Sequence, residues 1–395
     1  MVFEVELQHH LFDGEIEIPL RPRKEAGERM GLGIGTVGPI NPSIFRTDEK
    51  GRPQVDTVWR VAKSCEEKDY HSVWYADHLM GWFPPHDFYD PIAALAFVAS
   101  RTERIRIGTA VTDPIRRNPV MLSQSMLTLD HISRGRCIFG LGTGEAMNYT
   151  PYGMEYSKQV AKFEEALRII RLSWEAGRGR PVDFEGKFWK LKNAPFDLLP
   201  YGERPPPLWV AAHGPRMLRV VGELADGWFP MMMSPQEYGE RAEVIREAAE
   251  RAGRKASEIT LALYAPLVIA ESREECLGMM ENPVLKGYAL TLPPSAYERR
   301  GLKHPLGEDF NPFADFIFTE LSERVLEAVQ HIPSDLTAES FVYGTPEEVV
   351  ETLKLYREKG AEVVVLWNQT PFADPSKTGA SYRLIDEVVR RCSRL

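Results

Sequence analysis

The chain has 395 residues, 43% of them hydrophobic, and carries a formal net charge of −9 with an isoelectric point near 5.6. That length holds one large domain or two ordinary ones, and the acidic balance argues against a nucleic-acid partner or an anionic membrane surface, each of which rewards a basic face. Cys65, Cys137, Cys276 and Cys392 are scattered with no C-x-x-C, so neither a disulfide framework nor a zinc cluster is suggested, and reduced thiols in a cytoplasmic protein fit best.

The first residues, M-V-F-E-V-E-L-Q, are acidic where a signal peptide is basic and apolar, and no apolar run reaches membrane-spanning length, so neither export nor anchoring is expected. Residues 2–20 alternate polar and apolar on both sides of Asp13-Gly14, which predicts a β-hairpin with a primed turn. With the basic linker from Arg21 to Arg29 it makes an N-terminal extension, residues 1–29, that caps a surface or meets a partner subunit.

From Met30 strands and helices alternate: M-G-L-G-I-G-T-V-G, a helix from Asp56 to Lys68, S-V-W-Y-A-D-H-L, a helix over Pro91–Ser100, I-R-I-G-T-A-V-T and a helix over Val120–Ile132. The fourth strand, C-I-F-G-L, is an apolar run of the kind buried on both faces, and it empties into the turn G-T-G-E-A-M-N with its single carboxylate. Gly140, Gly142 and Gly144 strip one backbone edge, either for a flat or phosphorylated ligand or for tight strand packing. A dinucleotide fingerprint is disfavoured, because G-x-G-x-x-G would need glycine where Glu145 stands.

Val160, Phe163, Leu167, Ile170 and Trp174 then mark one face of a long helix. P-L-W-V-A-A and G-W-F-P-M-M-M are the fifth and sixth strands, and a helix capped by Ser234, with Pro235 in its first turn and Glu237 completing a capping box, runs to near Gly253. I-T-L-A-L-Y-A-P-L-V-I-A is the seventh strand. Residues 271–340 break the rhythm with prolines, aromatics, two helix-like pieces and no clear strand; they read as an insertion over one mouth of the sheet. A second capping box, Thr345 with Glu348, opens a helix that stops at Gly360; A-E-V-V-V-L-W completes eight strands, and a last helix runs from Pro375 to Arg391. Eight βα units in one pass argue for an α/β (β/α)8 TIM barrel, whose core needs ~250 residues. Residues 30–395 then form one domain, with the long insertion after strand 7; a doubly wound sheet is the alternative, because periodicity does not show closure.

In a barrel the chemistry sits at the carboxyl ends of the strands. The second strand ends in Asp77-His78 with Trp82 four residues beyond His78, the third in A-V-T-D, and the fourth in Thr143, Gly144, Glu145 and Asn148. The fifth ends in Ala211, Ala212, His213, Gly214 and Pro215, and the sixth in Met231, Met232 and Met233. His78 can give or take a proton near neutral pH. An isolated histidine is more often structural, yet the strand-end position beside Asp77 and opposite Glu145 favours chemistry. Glu145, on glycine backbone in an apolar mouth, is expected to have a raised pKa and to act as an acid. Trp82 is otherwise a core residue by type. The turn His213-Gly214-Pro215-Arg216 offers free amides to a phosphate, or is an ordinary βα turn. Arg116 and Arg117 either hold an acidic tail or lie on the surface, and the methionine triplet is a soft lining or core.

Taken together these residues resemble the bacterial-luciferase-like superfamily, and within it the branch that uses the deazaflavin coenzyme F420. The resemblance rests on Y-A-D-H-L-x-x-W, I-G-T-A-V-T, R-R-N-P, G-L-G-T-G-E-A-M-N and W-V-A-A-H-G-P-R-M, with V-T-D-x-x-R-R-N-P shared by the phthiodiolone ketoreductase type. It implies a barrel that dimerises and holds the deazaflavin in its mouth. It also implies a non-proline cis bond between Ala110 and Val111 behind the ring, with Asp77, Thr112, Thr143, Gly144 and Asn148 flanking the cofactor and Ala212, His213, Gly214 and Pro215 at its phosphate end. By the same resemblance His78, Trp82 and Glu145 match the residues proposed for catalysis in a sugar-phosphate dehydrogenase relative. That relative has a cation after its sixth strand, where Met231–Ser234 supply none, so a phosphosugar substrate is disfavoured.

Tyr288, Phe313, Phe316 and Phe318 in the insertion favour an apolar substrate instead. The expectation is reversible hydride transfer between F420 and the carbonyl or alcohol carbon of a small apolar substrate in a cytoplasmic homodimer, with His78 and Glu145 managing the proton and Trp82 positioning the substrate. The alternatives are an FMN-dependent luciferase-like monooxygenase and a catalytically silent flavin-binding relative.

Overall fold

The structure is a computed structural model; it describes residues 31–39, 50, 52, 54–82, 86–231 and 233–395, without the side chains at 318, 320 and 321. The expected N-terminal hairpin at 2–20 lies outside the described residues. Strands β1 (Gly33–Val37), β2 (Ser72–Tyr75), β3 (Arg106–Thr112), β4 (Cys137–Leu141), β5 (Leu208–Val210), β6 (Gly227–Trp228), β7 (Thr260–Ile269) and β8 (Val363–Asn368) pair in parallel in chain order. Pairing of β8 with β1 through Gly33↔Val363 to Thr36↔Leu366 closes the circle, so the sheet is a (β/α)8 barrel rather than an open doubly wound sheet.

Every strand of such a barrel has two apolar faces because each side is covered, and alternate residues serve different cores. Val73, Tyr75, Leu208, Val210, Leu263 and Leu366 point outward into the layer between sheet and helices. Trp74, Trp209, Phe229, Ala262, Tyr264 and Val365 point inward. Trp74 stacks on Trp209 at 5.3 Å between ring centroids and meets Phe229 at 4.7 Å, so aromatic rings plug the barrel. The neighbouring strands make room for them: a Cβ at Gly108 would stand 2.4 Å from the Trp74 ring, and one at Gly227 would stand 2.3 Å from Trp209. The plug leaves the carboxyl ends of the strands as the open mouth.

The helix starts follow local chemistry. Asn118 accepts from the amides of Val120 and Met121 and caps Pro119–Ser133. Thr345 and Glu348 form the expected reciprocal box, with the Thr345 amide donating to the Glu348 carboxylate at 2.9 Å. Ser234 caps Pro235–Arg251 in one direction only, because the Glu237 carboxylate turns to the Arg241 guanidinium instead of the cap amide. The box expected there is therefore half formed.

Two elements were not legible in the pattern. Val182–Glu185 and Lys190–Ala194 form an antiparallel hairpin outside the barrel, and Val342–Gly344 adds a short strand alongside the end of β7. Between β7 and that strand the chain folds into six helices, from Arg273–Met279 to Ser334–Ala338, rather than two, around their own apolar cluster of Leu290, Tyr297, Phe316, Val325 and Leu336. The insertion is a packed subassembly seated on the mouth.

Gly108→Ala places a methyl against Trp74 in a closed core, where overpacking costs ~1–3 kcal/mol. A lower urea midpoint at unchanged far-ultraviolet circular dichroism is expected, and an unshifted midpoint would show that the plug yields.

Candidate active site

The mouth of the barrel holds a cavity of about 380 Å³ whose wall is mainly apolar. Asp77, His78, Trp82, Ala110, Val111, Thr112, Thr143, Gly144, Glu145, Asn148, Ala212, His213 and Gly214 all line it. Of the residues expected to carry catalysis or to bind the cofactor, Pro215 alone is absent from the wall; it opens the helix Pro215–Leu224, and its ring belongs to the first turn.

Asp77 is the most constrained group. Its carboxylate takes Nε and Nη2 of Arg117 at 2.7 and 3.0 Å, the Thr112 hydroxyl at 2.6 Å and Nη2 of Arg116 at 2.8 Å, while Nη2 of Arg116 also donates to the Asp77 carbonyl at 3.1 Å. Burial alone would raise its pKa, but the Arg117 hydrogen bonds and the charges of Arg116 and Arg117 outweigh burial and hold it at about 2. Arg116 and Arg117 thus serve a buried carboxylate and are not free surface arginines. Nη2 of Arg117 also reaches Asp90 at 2.6 Å, which ties the end of β2 to the cap of helix Pro91–Ala99.

The clamp fixes the backbone that carries His78. Asn148, arriving from the turn after β4, holds the next residues: its Oδ1 accepts from the amides of Leu79 at 2.7 Å and Met80 at 3.1 Å. Those two donors settle which end of the amide is oxygen. Its Nδ2 therefore faces His78 Nδ1 at 3.1 Å, and the Met80 carbonyl faces the same nitrogen at 3.2 Å. Nδ1 has a donor for its neutral form and an acceptor for its protonated form. The ring rests on Phe88 at 5.4 Å.

Glu145 Oε2 lies 3.7 Å from that nitrogen, and the oxygen has no hydrogen-bond partner among the described residues. Burial raises the Glu145 pKa, against smaller opposing effects from His78, Trp82 and Arg116. A carboxyl that keeps its proton into a higher pH range beside an imidazole able to take one is a proton-transfer pair. Trp82 is held from behind by Phe316, stacked at 4.8 Å, so the insertion sets the position of that indole.

The glycines of the β4 turn divide their work. A Cβ at Gly140 would stand 2.1 Å from the Thr109 carbonyl and one at Gly142 would stand 2.7 Å from the Val111 side chain, so these two admit β3. Gly144 adopts a φ of +75°, and a Cβ there would meet Asp113 at 2.3 Å. Close packing is thus the main reason for the motif, although Gly142 and Gly144 also face the cavity. The Ala110–Val111 peptide is cis.

At the far end, Gly214 precedes Pro215–Leu224 with no side-chain cap and open space where a Cβ would point. Burial and then the Arg241 charge push the His213 pKa down to about 4, so a neutral imidazole stands there. Tyr288 and Phe313 reach the wall from the insertion, whereas Phe316 is spent on Trp82; the Phe318 side chain and Met232 lie outside what is described. Tyr264 and Trp367 in the wall went unnoticed in the sequence, although two-residue alternation along β7 and β8 would have turned them inward.

The family model described as luciferase-like monooxygenase matches residues 35–362. The chain belongs to the luciferase-like family. This luciferase-like chain is 40% identical over 283 residues, 71% of its length and 74% of the relative's, to the phthiodiolone/phenolphthiodiolone dimycocerosates ketoreductase of Mycobacterium tuberculosis. It is 34% identical over 224 residues, 55% of its length and 65% of the relative's, to the F420-dependent glucose-6-phosphate dehydrogenase of Kineococcus radiotolerans. Among solved structures, the coenzyme F420 dependent tetrahydromethanopterin reductase of Methanopyrus kandleri matches 92% of this chain and 99% of that one with a TM-score of 0.70 at 21% identity. An F420-dependent secondary alcohol dehydrogenase in complex with an F420-acetone adduct covers 91% and 98% with a TM-score of 0.71 at 22% identity. The two structural likenesses establish the barrel fold of this luciferase-like protein. Among the described residues no helix is long and apolar enough to cross a membrane.

Asp77 contributes stability through a folded pKa depressed to about 2, so its contribution is complete above the unfolded value near 3.8 and is lost as pH falls from about 4 to about 2. Removing one partner of a buried pair costs ~3–5 kcal/mol, so Asp77→Asn should lower the urea midpoint at pH 7 and flatten its dependence on pH between 4 and 2. A variant with the parent's midpoint and slope would dismiss the clamp.

Proposed function

We propose that this protein is an F420-dependent oxidoreductase that transfers hydride between the deazaflavin and the carbonyl or alcohol carbon of an apolar substrate. The observation that carries the reading is the pair His78 and Glu145, 3.7 Å apart at one end of a mainly apolar cavity, with one carboxyl oxygen unpartnered. The ketoreductase and F420-dependent names of the two curated relatives support it.

The residues present fit that cofactor. The uncapped start of Pro215–Leu224 and the open space at Gly214 suit a phosphate beside Ala212 and His213, with Pro215 setting the first turn. Ala110 and Val111 would back the ring, and Thr112, Thr143, Gly144 and Asn148 would flank it; Asp77, whose oxygens are already taken, would act by holding this wall. When bound, the deazaflavin supplies or accepts the hydride. His78 gives its Nε2 proton to the substrate oxygen as charge develops there. Before the transfer the neutral ring carries its proton on Nε2, and Nδ1 accepts from Asn148. Glu145, with its raised pKa, gives its proton to Nδ1 as the Nε2 proton leaves, so the ring stays neutral with Nδ1–H donating to the Met80 carbonyl, and solvent returns a proton to the Glu145 carboxylate afterwards. Trp82 packs the substrate toward these groups.

Tyr288, Phe313, Val284, Phe372 and Met231 make the substrate side apolar. Among the described lining residues Arg116 is the one Lys or Arg, and Asp77 holds it, which argues against a phosphorylated substrate. Residues 30–395 act as one domain in this reading. We also read the protein as a cytoplasmic homodimer, since Met121 and Ile132 on helix Pro119–Ser133 expose apolar surface suited to a second copy; light scattering decides the assembly.

Fluorescence titration of the purified chain should show tight F420 binding, and reduced F420 should be consumed with an unbranched ketone. Glu145→Gln and His78→Ala should each lower kcat about 100-fold or more, the usual size of a lost acid–base contribution. Tight binding of FMN in place of F420, with oxygen uptake by the reduced form, would instead make it a monooxygenase. Unaltered turnover in both variants would remove His78 and Glu145 from the chemistry.

A further inference from the structure

Seven tyrosines are buried among the described residues: Tyr70, Tyr75, Tyr149, Tyr238, Tyr264, Tyr297 and Tyr356. Six of them spend the hydroxyl on a named acceptor. Tyr70 donates to Asp386, Tyr149 to Asp113, and Tyr75, Tyr238, Tyr297 and Tyr356 to the carbonyls of Val58, Ala262, Ala289 and Met233. Tyr264 alone has no hydrogen bond from its hydroxyl among the described residues, although it is 8% exposed and lines the cavity. A phenylalanine would pack equally well against Phe229 at 5.6 Å and Trp367 at 5.4 Å, so the hydroxyl adds nothing to the aromatic core. Leaving it unpaired costs free energy unless something in the cavity meets it.

Tyr288 repeats the pattern from the opposite side. It comes from helix Pro283–Ala289 of the insertion, packs edge-on against Trp367 at 5.6 Å and Phe341 at 5.3 Å, and its hydroxyl too has no partner among the described residues. Both phenols are strongly desolvated, which keeps them neutral and able to donate. The Trp367 ring bridges the two. Tyr264 and Glu145 line the same cavity.

We propose that the Tyr264 and Tyr288 hydroxyls form a specificity site for a second, uncharged oxygen of the substrate, so that the preferred substrate is a ketone bearing a hydroxy, alkoxy or further keto group rather than a plain hydrocarbon ketone. This rests on the oxidoreductase reading for the identity of the reacting carbon. The phenols themselves need only bind an oxygen acceptor. Neither tyrosine takes part in hydride or proton transfer. A site built to bond an oxygen function discriminates against the analogue lacking it because its own donors, facing the cavity, are then left without that partner.

The test uses the full chain with two chain-length-matched probes, 2-octanone and a methoxy-substituted 2-octanone series in which the ether oxygen moves along the chain. Calorimetry with the protein, with and without oxidised F420, reads binding. Steady-state reduction by reduced F420 reads kcat/KM. At least one methoxy position should bind and react about tenfold better than 2-octanone, and that ratio should fall to within about twofold in Tyr264→Phe/Tyr288→Phe, the loss expected of removed neutral hydrogen bonds. Equal slowing of both probes with an unchanged ratio would make the tyrosines structural and overturn the proposal, as would a parent protein that shows no preference at any position. If Tyr264→Phe/Tyr288→Phe weakens F420 binding and leaves the probe ratio alone, the hydroxyls belong to the cofactor and the proposal falls. Failure of F420 to bind or be consumed would count against the oxidoreductase reading alone, because the calorimetric ratio of the two probes still decides the tyrosines.

Discussion

The mouth of this barrel depends on one buried carboxylate. Asp77 ends β2, and Arg116 and Arg117 arrive from the segment after β3; Thr112 completes the shell, so every oxygen lone pair that faces the protein is used. Such a cluster is costly to desolvate and unforgiving of a missing member, which makes it a poor source of stability and a good source of geometry. It locks two adjacent strand ends together and fixes the backbone immediately before His78. The Asn148 side chain then fixes the backbone immediately after it. The imidazole is pinned from both sides along the chain while its ring remains at the cavity wall.

Against that rigid frame Glu145 is left under-satisfied. Its neighbours in the turn, Gly142 and Gly144, are glycines because Val111 and Asp113 crowd them, and the carboxyl therefore sits on backbone that cannot shift to find other partners. The contrast between Asp77 and Glu145 is one of environment and not of residue type. Two arginines depress one carboxyl, and burial, outweighing the opposing effects of His78, Trp82 and Arg116, raises the other. The same mouth thereby holds one carboxyl kept ionised by its arginines and another that burial inclines to keep its proton.

The insertion acts on both ends of the cavity. Phe316 sets Trp82 near Glu145, and Tyr288 and Phe313 form part of the cavity wall, so a subassembly with its own core shapes the pocket without altering the barrel. Titratable groups placed on strand ends and an apolar wall placed on an inserted helical layer is a division that lets each change separately.

The sequence by itself determined the strand and helix order, because two-sided apolar strands and capped amphipathic helices are written in local periodicity and cap residues. It also marked residues at the strand ends that line the mouth, including His78, Trp82, Glu145 and the turn at His213, and the cis bond at Ala110–Val111 came through family resemblance. Closure of the sheet was decided only by the pairing of β8 with β1, a contact between segments about 330 residues apart, to which no local period is sensitive. The partners of Arg116 and Arg117 were equally hidden, since an exposed and a buried arginine look alike in a sequence and only their approach to Asp77 distinguishes them. Glu237 shows the same limit in miniature: its spacing from Ser234 reads as a capping box, but Arg241 one turn on competes for the carboxylate and wins. The six helices of the insertion and the unpaired hydroxyl of Tyr264 belong to the same class. Whether a polar group is satisfied depends on what other elements bring to it, and that is a property of tertiary structure alone.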